Sequence, residues 1–480
     1  MNWKRPDIVT PQKSGVGTGF FVPLQEAGEW VAILTCAHVL DGCLRDQISI
    51  VFPKVGQERW QTAFVHCLVP EYDLGIIVMK LPEDKEVRSA IRPLPLMKYQ
   101  TRNLVGQKVS AYGYPLGKPK LKYTQGQYSG FADNGFIQTN ADISPGNSGG
   151  PLILEETGEV IGVNAMTMGG MFVSGVHFAV PIQLYHRMAK QMLSNLEPRV
   201  RAPPSLGFCY HVATEALLRK NNVVLSSDTL SAGARPGGVY VYHLLQDSPL
   251  RQAGMEEGAI ITRINIEGEW LIVDRFGEVQ VLWNGEQRVA LKNVLPRVPT
   301  EADVLVEFTQ NGQRTEIRVK QQPLTPGSLR TMSPPFEAKP DYCLFGGLCV
   351  MPLMANHAAA FALMFRSMGT KQREANVLVV SAVMPGYTQG IPFNEGDIIE
   401  VVNGKGTKGK AFDASFQGER VDTVAKYRDA IKSASGEYIT MRNTKGYEYT
   451  LGKSEALQRE RALAQVYTCD EDIMRWLSSS

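Results

Sequence analysis

The sequence predicts a mainly β chain in which a double β-barrel is followed by two smaller α+β domains. Residues 14–185 alternate short β-branched segments with Gly and Pro turns, a pattern typical of antiparallel barrels. Two Pro-rich stretches, 197–204 and 322–340, have the composition of linkers. A length of 480 residues also suggests about three domains of ordinary size.

These observations set the expected boundaries. We predict the double barrel at 1–196, a linker at 197–204, the first α+β domain at 205–321, a linker at 322–340, the second α+β domain at 341–452, and a helical tail at 453–480. Two helices are expected inside the domains. One runs from residue 182 to about 196 after Pro181, because proline favours a helix start. The other, amphipathic, covers 421–433.

Composition excludes several classes of protein. The 50 basic and 48 acidic residues nearly cancel, so no electrostatic argument favours a nucleic-acid partner. No apolar run reaches the roughly 18 residues that a membrane span needs. The seven cysteines are odd in number and sparse, which favours reduced thiols over a disulfide framework. We therefore expect a cytoplasmic or other reducing compartment, or a periplasmic or organellar one if a leader has been removed.

The stretch at 146–151, Gly-Asn-Ser-Gly-Gly-Pro, is the most informative motif. A serine between glycines, followed by Gly-Gly-Pro, resembles the nucleophile loop of chymotrypsin-clan proteases. In such a loop the backbone N–H groups of Gly146 and Ser148 would form the oxyanion hole. A Cβ at 146 would hinder the required conformation, so glycine is needed there. The alternative, an ordinary Gly-rich turn, is tested by the residues upstream.

A histidine and an aspartate precede this serine in the order that the clan requires. His38 follows a small residue near the end of the apolar segment 33–40, and Asp73 lies just before the β-branched residues of the segment 72–78. Each is commonplace alone, but together with Ser148 they predict a catalytic triad. His38 would take the proton of the Ser148 hydroxyl, and Asp73 would hold the imidazole in the correct tautomer. No Cys/His cluster has zinc spacing, so we expect no metal and no cofactor.

The specificity pocket leaves two alternatives open. Asp142 lies six residues before Ser148, where proteases of basic specificity place a carboxylate. It would then pair with Arg or Lys of a substrate. The favoured alternative turns Asp142 elsewhere and leaves an apolar pocket for small aliphatic residues. The candidate pocket residues are Asp142, Ile143, Asn164 and His177.

The two units after the barrels resemble PDZ domains in the circularly permuted bacterial order. The first has Ser-Leu-Gly-Phe at 205–208, then 247–255 and 257–265 in the expected sequence. Its candidate peptide-binding residues are Ser205, Leu206, Gly207 and Phe208, whose N–H groups would receive a peptide's C-terminal carboxylate while the next strand edge accepts the peptide. The second unit repeats the pattern loosely at 344–348 and 394–404. Its groove could bind a peptide or serve only as an assembly surface.

A protease followed by two PDZ domains resembles the HtrA/Deg family of serine proteases over nearly the whole length. The long insertions and charged tail are more similar to the divergent plant-type Deg branch than to the periplasmic one. The resemblance implies ATP-independent cleavage of unfolded or damaged proteins, homotrimers or multiples of trimers, and peptide C-termini bound at the first PDZ domain. The competing hypothesis is a PDZ-based chaperone or scaffold with a latent or inactive protease domain.

Overall fold

The computed structural model describes residues 15–24, 29–40, 43, 48–52, 59–98, 100, 102–118, 120–165, 175–193, 199–200, 203–225, 234–281, 288–298, 302–322, 341–358, 360–368, 375–385, 390–403, 405–406, 421–467 and 469–479. Its backbone contacts group into two compact units, residues 14–325 and residues 326–480 together with 1–13. Most of the two predicted linkers lies outside the described residues.

The first unit opens with two sheets, antiparallel except where β12 runs parallel to β4. Their strands are β1 (Phe20–Val22), β2 (Trp30–Thr35), β3 (Ile48–Val51), β4 (Arg59–Val69), β5 (Leu74–Lys80), β6 (Lys108–Gly113), β7 (Lys122–Phe131), β8 (Ile137–Thr139), β9 (Pro151–Leu154), β10 (Val160–Ala165), β11 (His177–Pro181) and β12 (Arg199–Val200). One sheet has the order β1-β2-β5-β4-β12, with β3 also on β4. The other closes into a barrel in the order β10-β11-β8-β7-β6-β9. The mainly β prediction is confirmed.

Apolar runs explain why these strands lie inside. The first six residues of β5, Leu-Gly-Ile-Ile-Val-Met, are all buried, and so is every residue of β10. Strands covered on both faces keep such continuous apolar runs. The helix α1 (Lys85–Ala90) begins at Asp84, whose side chain caps it. The helix α2 (Ile182–Leu193) buries one face against the barrels, and its predicted end at 196 falls outside the described residues.

The rest of the first unit is an α+β domain. Its elements are β13 (Phe208–Val212), α3 (Glu215–Lys220), β14 (Val239–Leu244), α4 (Pro249–Gln252), β15 (Ile260–Ile266), β16 (Glu269–Ile272), β17 (Glu278–Gln280), β18 (Arg288–Ala290), α5 (Leu291–Val294), β19 (Asp303–Gln310) and β20 (Gln313–Lys320). The main sheet has the order β13-β14-β15-β19-β20, with β16 on β15, and β17 pairs with β18. In this sheet β13 is an edge strand.

Two arginines fasten this α+β domain to the barrels. Arg187, on α2, donates from Nη1 to the Leu295 carbonyl oxygen at 2.7 Å. Arg297 donates from Nη2 to the Gly135 carbonyl oxygen at 2.6 Å, and its guanidinium lies 4.4 Å from the Phe131 ring centroid. Burial lowers the pKa of Arg297 to about 10. A buried cation satisfied by the opposite domain holds the two domains in one arrangement.

The second unit is described by itself. Its elements are β21 (Cys343–Phe345), β22 (Leu348–Pro352), α6 (Ala362–Ser367), β23 (Leu378–Val383), β24 (Ile398–Val402), β25 (Lys405–Gly406), α7 (Val424–Lys432), β26 (Tyr438–Asn443), β27 (Glu448–Gly452), α8 (Lys453–Ala464) and α9 (Glu471–Ser479). The sheet order is β21-β22-β23-β24-β26-β27, with β25 on β24. The helix expected at 421–433 is α7. The predicted helical tail contains two helices, α8 and α9, and residues 465–467 and 469–470 between them are not helical.

Candidate active site

Strand pairing brings His38 and Asp73 together. β2 and β5 are antiparallel with Thr35 opposite Gly75, so the end of β2 and the start of β5 meet at one edge of the sheet. Asp73 accepts from the His38 backbone N–H at 2.9 Å through Oδ1 and lies 2.7 Å from His38 Nδ1 through Oδ2. The two bonds fix the imidazole relative to the carboxylate, which leaves Nε2 for proton transfer.

Asp73 occupies a backbone conformation that few residues tolerate. Its φ is +52°, at the end of the short 3-10 helix Pro70–Tyr72. Asp and Asn enter this left-handed region more readily than other non-glycine residues. The residue is 6% exposed, so its carboxylate is largely screened from water. The turn therefore selects a short polar side chain at the point where the chemistry needs a carboxylate.

Two glycines give the Ser148 loop its shape. Gly146 and Gly149 have φ values of +100° and +86°. A Cβ on Gly146 would lie 2.5 Å from the Tyr114 carbonyl oxygen, and one on Gly149 would lie 2.1 Å from the Thr18 carbonyl oxygen. Side chains are excluded at both positions by strain and by space. The glycine requirement inferred from sequence thus has a physical basis at 146.

Thr18 holds the loop from the opposite side. Its hydroxyl donates to the Gly146 carbonyl oxygen at 2.6 Å, and its N–H donates to the Ser148 carbonyl oxygen at 2.9 Å. The same hydroxyl accepts from the Tyr114 N–H at 3.0 Å. Sequence reasoning did not assign this role to Thr18. Only its place in the Gly-Thr-Gly-Phe segment at 17–20 could have drawn attention to it.

The triad is not hydrogen-bonded from end to end. Among the described residues, Ser148 Oγ has no bond to His38, and the N–H groups of Gly146 and Ser148 donate to no protein acceptor. Ser148 is 5% exposed, whereas the His38 side chain is 41% exposed. Catalytic hydrogen bonds are often long without substrate and tighten in the Michaelis complex. The two N–H groups are available to a developing oxyanion.

Cys36 lies beside the triad and was not among the predicted site residues. Its Sγ, a ring nitrogen of His38 and an Asp73 carboxylate oxygen all lie within 4.8 Å of one another. The thiol donates to the Asn164 carbonyl oxygen at 3.2 Å, and Gly149 N–H donates to the same oxygen at 2.8 Å. Burial, and then the Asp73 charge, raise the pKa of Cys36 well above its ordinary value. A neutral thiol and a direct His–Asp bond favour hydrogen bonding over metal ligation.

We expect Cys36→Val to lower kcat by up to about tenfold with little change in KM, because a buried hydrogen bond between neutral groups contributes about 0.5–1.5 kcal/mol. The thiol links the end of β2 to β10, which lies in the other sheet, so its loss would shift the Ser148 loop against His38. Cys36→Ser keeps a donor and is expected to retain most activity. Steady-state kinetics on both variants check this, and equal activity of Val and Ser variants would contradict it.

The predicted pocket residues are brought together only in part. Ile143 N–H donates to His177 Nδ1 at 3.3 Å, and His177 Nε2 lies 3.4 Å from Asp142 Oδ1. The Asp142 side chain is 64% exposed. Asn164 is fully buried, and its amide donates to the carbonyl oxygens of residues 112 and 151. Asn164 therefore braces the barrel with its amide, while Asp142 pairs with a histidine at the surface.

The predicted peptide-binding loop is held by its own domain. Ser205 Oγ accepts from the Gly207 N–H at 3.0 Å, and Ser205 pairs through its backbone with Gln322. Ser248 Oγ donates to the Leu206 carbonyl oxygen at 2.8 Å. Phe208 then opens β13, whose partner among the described strands is β14 alone. The loop conformation is fixed, and the adjoining strand is at the edge of its sheet.

Comparison with known proteins agrees with this geometry. Residues 17–163 match the model of the trypsin-like peptidase domain. A probable periplasmic serine endoprotease, DegP-like, from Marinomonas sp. is 25% identical over 90% of this chain and 77% of its own length. Serine protease Do-like HtrB from Bacillus subtilis is 31% identical over 33% of this chain and 36% of its own length. The solved HtrA-type protease AlgW with decapeptide is 22% identical, with a TM-score of 0.44 over 65% of this chain and 83% of that one.

The barrels and the site thus define a trypsin-like peptidase domain. Beyond that domain, the chain is similar to serine proteases of the HtrA/Deg type. It spans 64% and 65% of the length of two further curated relatives, from Synechocystis sp. and Arabidopsis thaliana. Among the described residues, no helix has the length and apolar character to cross a membrane.

Proposed function

We propose that this chain is a serine endopeptidase that hydrolyses peptide bonds through an acyl-enzyme. The observation that carries the proposal is the pair of bonds from Asp73 to the His38 backbone and imidazole. His38 accepts the Ser148 hydroxyl proton as the oxygen attacks the carbonyl carbon, and then protonates the leaving amine. Asp73 stabilises the imidazolium that forms between these steps.

The oxyanion hole consists of the N–H groups of Gly146 and Ser148. Negative charge develops on the substrate carbonyl oxygen as the tetrahedral intermediate forms. The Thr18 hydroxyl bonds the Gly146 carbonyl, at the other end of that residue's backbone. This contact supports the role of Gly146, because a carbonyl that is already bound leaves the loop less freedom to rotate.

The substrates are unfolded or damaged proteins, cleaved without ATP. The two later units are PDZ domains, with residues 205–208 of the first receiving peptide C-termini, and the protein assembles as a homotrimer or a multiple of trimers. Support for peptide capture comes from the edge position of β13. An edge strand offers unpaired N–H and C=O groups to an added peptide strand.

Casein degradation by the wild type and by Ser148→Ala, side by side, tests the proposed activity. Cleavage by the wild type alone supports the triad as the catalytic machinery. If neither protein cleaves, and a fluorophosphonate probe fails to label Ser148 in the folded chain, the alternative of a PDZ-based chaperone or scaffold is favoured. Sedimentation of the same samples tests the oligomeric state.

We expect no preference for Arg or Lys at the residue before the cleaved bond. The Asp142 carboxylate is largely exposed and lies within 3.4 Å of His177, so water and an imidazole already stabilise it. Peptides varied only at that residue should favour small aliphatic side chains, and Asp142→Asn should leave their order unchanged. A marked gain for Arg or Lys that disappears in Asp142→Asn would overturn this expectation.

A further inference from the structure

The groove of the second α+β domain already contains a strand. β21 pairs antiparallel with β22, with Cys343 opposite Val350 and Phe345 opposite Leu348. β22 pairs on its other side with β23, so both of its edges are used. All three residues of β21 are buried. The segment thus takes the position that an added peptide strand would take on β22.

Helix α7 holds this segment from the other wall of the groove. Arg428, on α7, donates from Nη2 to Asp341 Oδ1 at 3.0 Å and to the Tyr342 carbonyl oxygen at 2.9 Å. Its Nε bonds to Asp470, just before α9. Cys343 and Phe345 share one core cluster with the apolar face of α7, which includes Val424, Tyr427 and Ile431. The segment at 341–345 is therefore bound by strand and helix together.

A carboxylate from the same chain lies in the glycine turn between β21 and β22. Glu460, on α8, accepts from the Gly346 N–H at 2.7 Å through Oε1 and is fully buried. Tyr449 donates its hydroxyl to the Gly346 carbonyl oxygen at 2.8 Å. Burial raises the pKa of Glu460 to about 7, and the Gly346 N–H opposes that rise. Glu460 Oε2 is also buried and has no partner among the described residues.

The first α+β domain provides the contrast. Its corresponding loop, at 205–208, leads directly into β13, which is an edge strand among those described. In the second domain the corresponding turn, at 345–348, receives Glu460, and the strand edge receives β21. In the first domain the Gly207 N–H bonds only the Ser205 side chain of the same loop, and β13 has no strand on its outer edge among those described.

We propose that the second PDZ domain is filled by this chain itself, with residues 343–345 as the peptide strand and the Glu460 carboxylate as the terminal carboxylate. The inference rests on the PDZ assignment made under the proposed function. Its ligand is thus an internal one, and capture of peptide C-termini from other proteins falls to the first domain. The second groove accepts an outside peptide only when α8 and the 341–345 segment leave it together.

Hydrogen exchange on the full chain carrying Ser148→Ala tests the inference without disturbing the groove. The probe is a library of ten-residue peptides with apolar, free C-termini, and the same library with amidated termini is the control. We expect residues 343–352 to be strongly protected without peptide, and added peptide to change exchange at 205–212 only. A peptide footprint at 343–352 would overturn the inference. If added peptide leaves exchange at 205–212 unchanged, peptide capture by the first domain is wrong. The inference about the second domain is then judged separately, from the protection of residues 343–352.

An opened variant supplies the second arm. The double variant Glu460→Ala with Arg428→Ala removes the bond from Gly346 to Glu460 and the bonds from Arg428 to the 341–342 segment. Hydrogen exchange at 343–352 should then become roughly tenfold or more faster, because each lost bond involves a charged group. A new peptide footprint should then appear at 343–352. Glu460→Gln keeps an oxygen acceptor for Gly346 and should stay closed. Arg461→Ala, an exposed charged residue on the same helix that makes none of these contacts, is the matched control.

Either of two results would overturn the inference. Exchange at 343–352 that does not differ between the opened variant and the Arg461→Ala control would show that the internal contacts do not close the groove. Fast exchange without a new peptide footprint would show that this groove is not a peptide site. If the opened variant does not fold, the footprint on the Ser148→Ala chain alone decides.

Discussion

Replacing Asp73 by Asn is expected to lower kcat by about 10⁴-fold, the loss typical when a triad carboxylate becomes an amide. The carboxylate accepts from both the His38 backbone N–H and Nδ1. An amide can offer its NH₂ to Nδ1 and so stabilise the tautomer that carries the proton on Nε2. That imidazole cannot accept the Ser148 proton, and no negative charge would stabilise the imidazolium.

Asn is the informative substitution because the backbone tolerates it. With φ at +52°, Ala at position 73 would combine strain with the loss of charge, whereas Asn enters this region as readily as Asp. Steady-state kinetics with casein-derived peptides should show the fall in kcat with KM almost unchanged. Asp84→Asn is the matched control, because Asp and Asn at position 84 cap the exposed helix α1 comparably. A fall of less than about tenfold in Asp73→Asn would contradict the assigned role.

Gly146→Ala is expected to lower kcat by about 10²–10³-fold, comparable with the loss of one oxyanion-hole donor. The added methyl group would lie 2.5 Å from the Tyr114 carbonyl oxygen, on a residue with φ at +100°. The loop must move to accommodate it, and the N–H groups of 146 and 148 then lose their positions. A fluorophosphonate probe and peptide kinetics measure this loss.

Gly158→Ala is the control that separates backbone strain at a positive φ from displacement of the N–H groups of 146 and 148. Gly158 has φ at +72° in the turn between β9 and β10, but a Cβ there would have no neighbour within 4 Å. The control should lose a little stability and keep its kcat. If both alanine variants lose activity alike, general destabilisation explains the effect and the oxyanion role of Gly146 is wrong.

The candidate triad could be proposed from the sequence because its signals are local. Ser148 lies in a glycine-rich turn, His38 after an apolar strand and Asp73 before another, and each pattern is legible within about eight residues. Their order along the chain did the rest, since the clan arranges them as His, Asp, Ser. The structure adds the distances, which sequence cannot give.

Cys36 and Thr18 could not be found in this way. Cys36 acts through the carbonyl of Asn164, which is 128 residues away in the chain, and Thr18 through the carbonyl of Gly146, also 128 residues away. Backbone carbonyls carry no residue identity, so no motif records such a contact. The internal strand at 343–345 could not be predicted either. Its composition is that of any buried strand, and only the order of strands in the sheet shows where it lies.

At the candidate specificity pocket, the type of residue suggests one role and its position in the structure suggests another. An aspartate six residues before Ser148 has the right chemistry for a basic substrate residue, but pairing with His177 depends on how the loop turns. Helix ends were likewise inexact. The predicted tail is not helical at 465–467 and 469–470, because its second half, α9, packs against α7 with Ile473 and Leu477 in the same core.

The two arginines that fasten the first α+β domain to the barrels also keep β13 at a constant distance from Ser148. Under the proposed function, a polypeptide held by its C-terminus along β13 would not be carried to Ser148 by movement of that domain, because Arg187 and Arg297 bond across the junction. The substrate segment between its bound C-terminus and the cleaved bond would have to span the gap, at no more than about 3.3–3.6 Å for each extended residue. We therefore expect tails shorter than this gap to be bound without being cleaved.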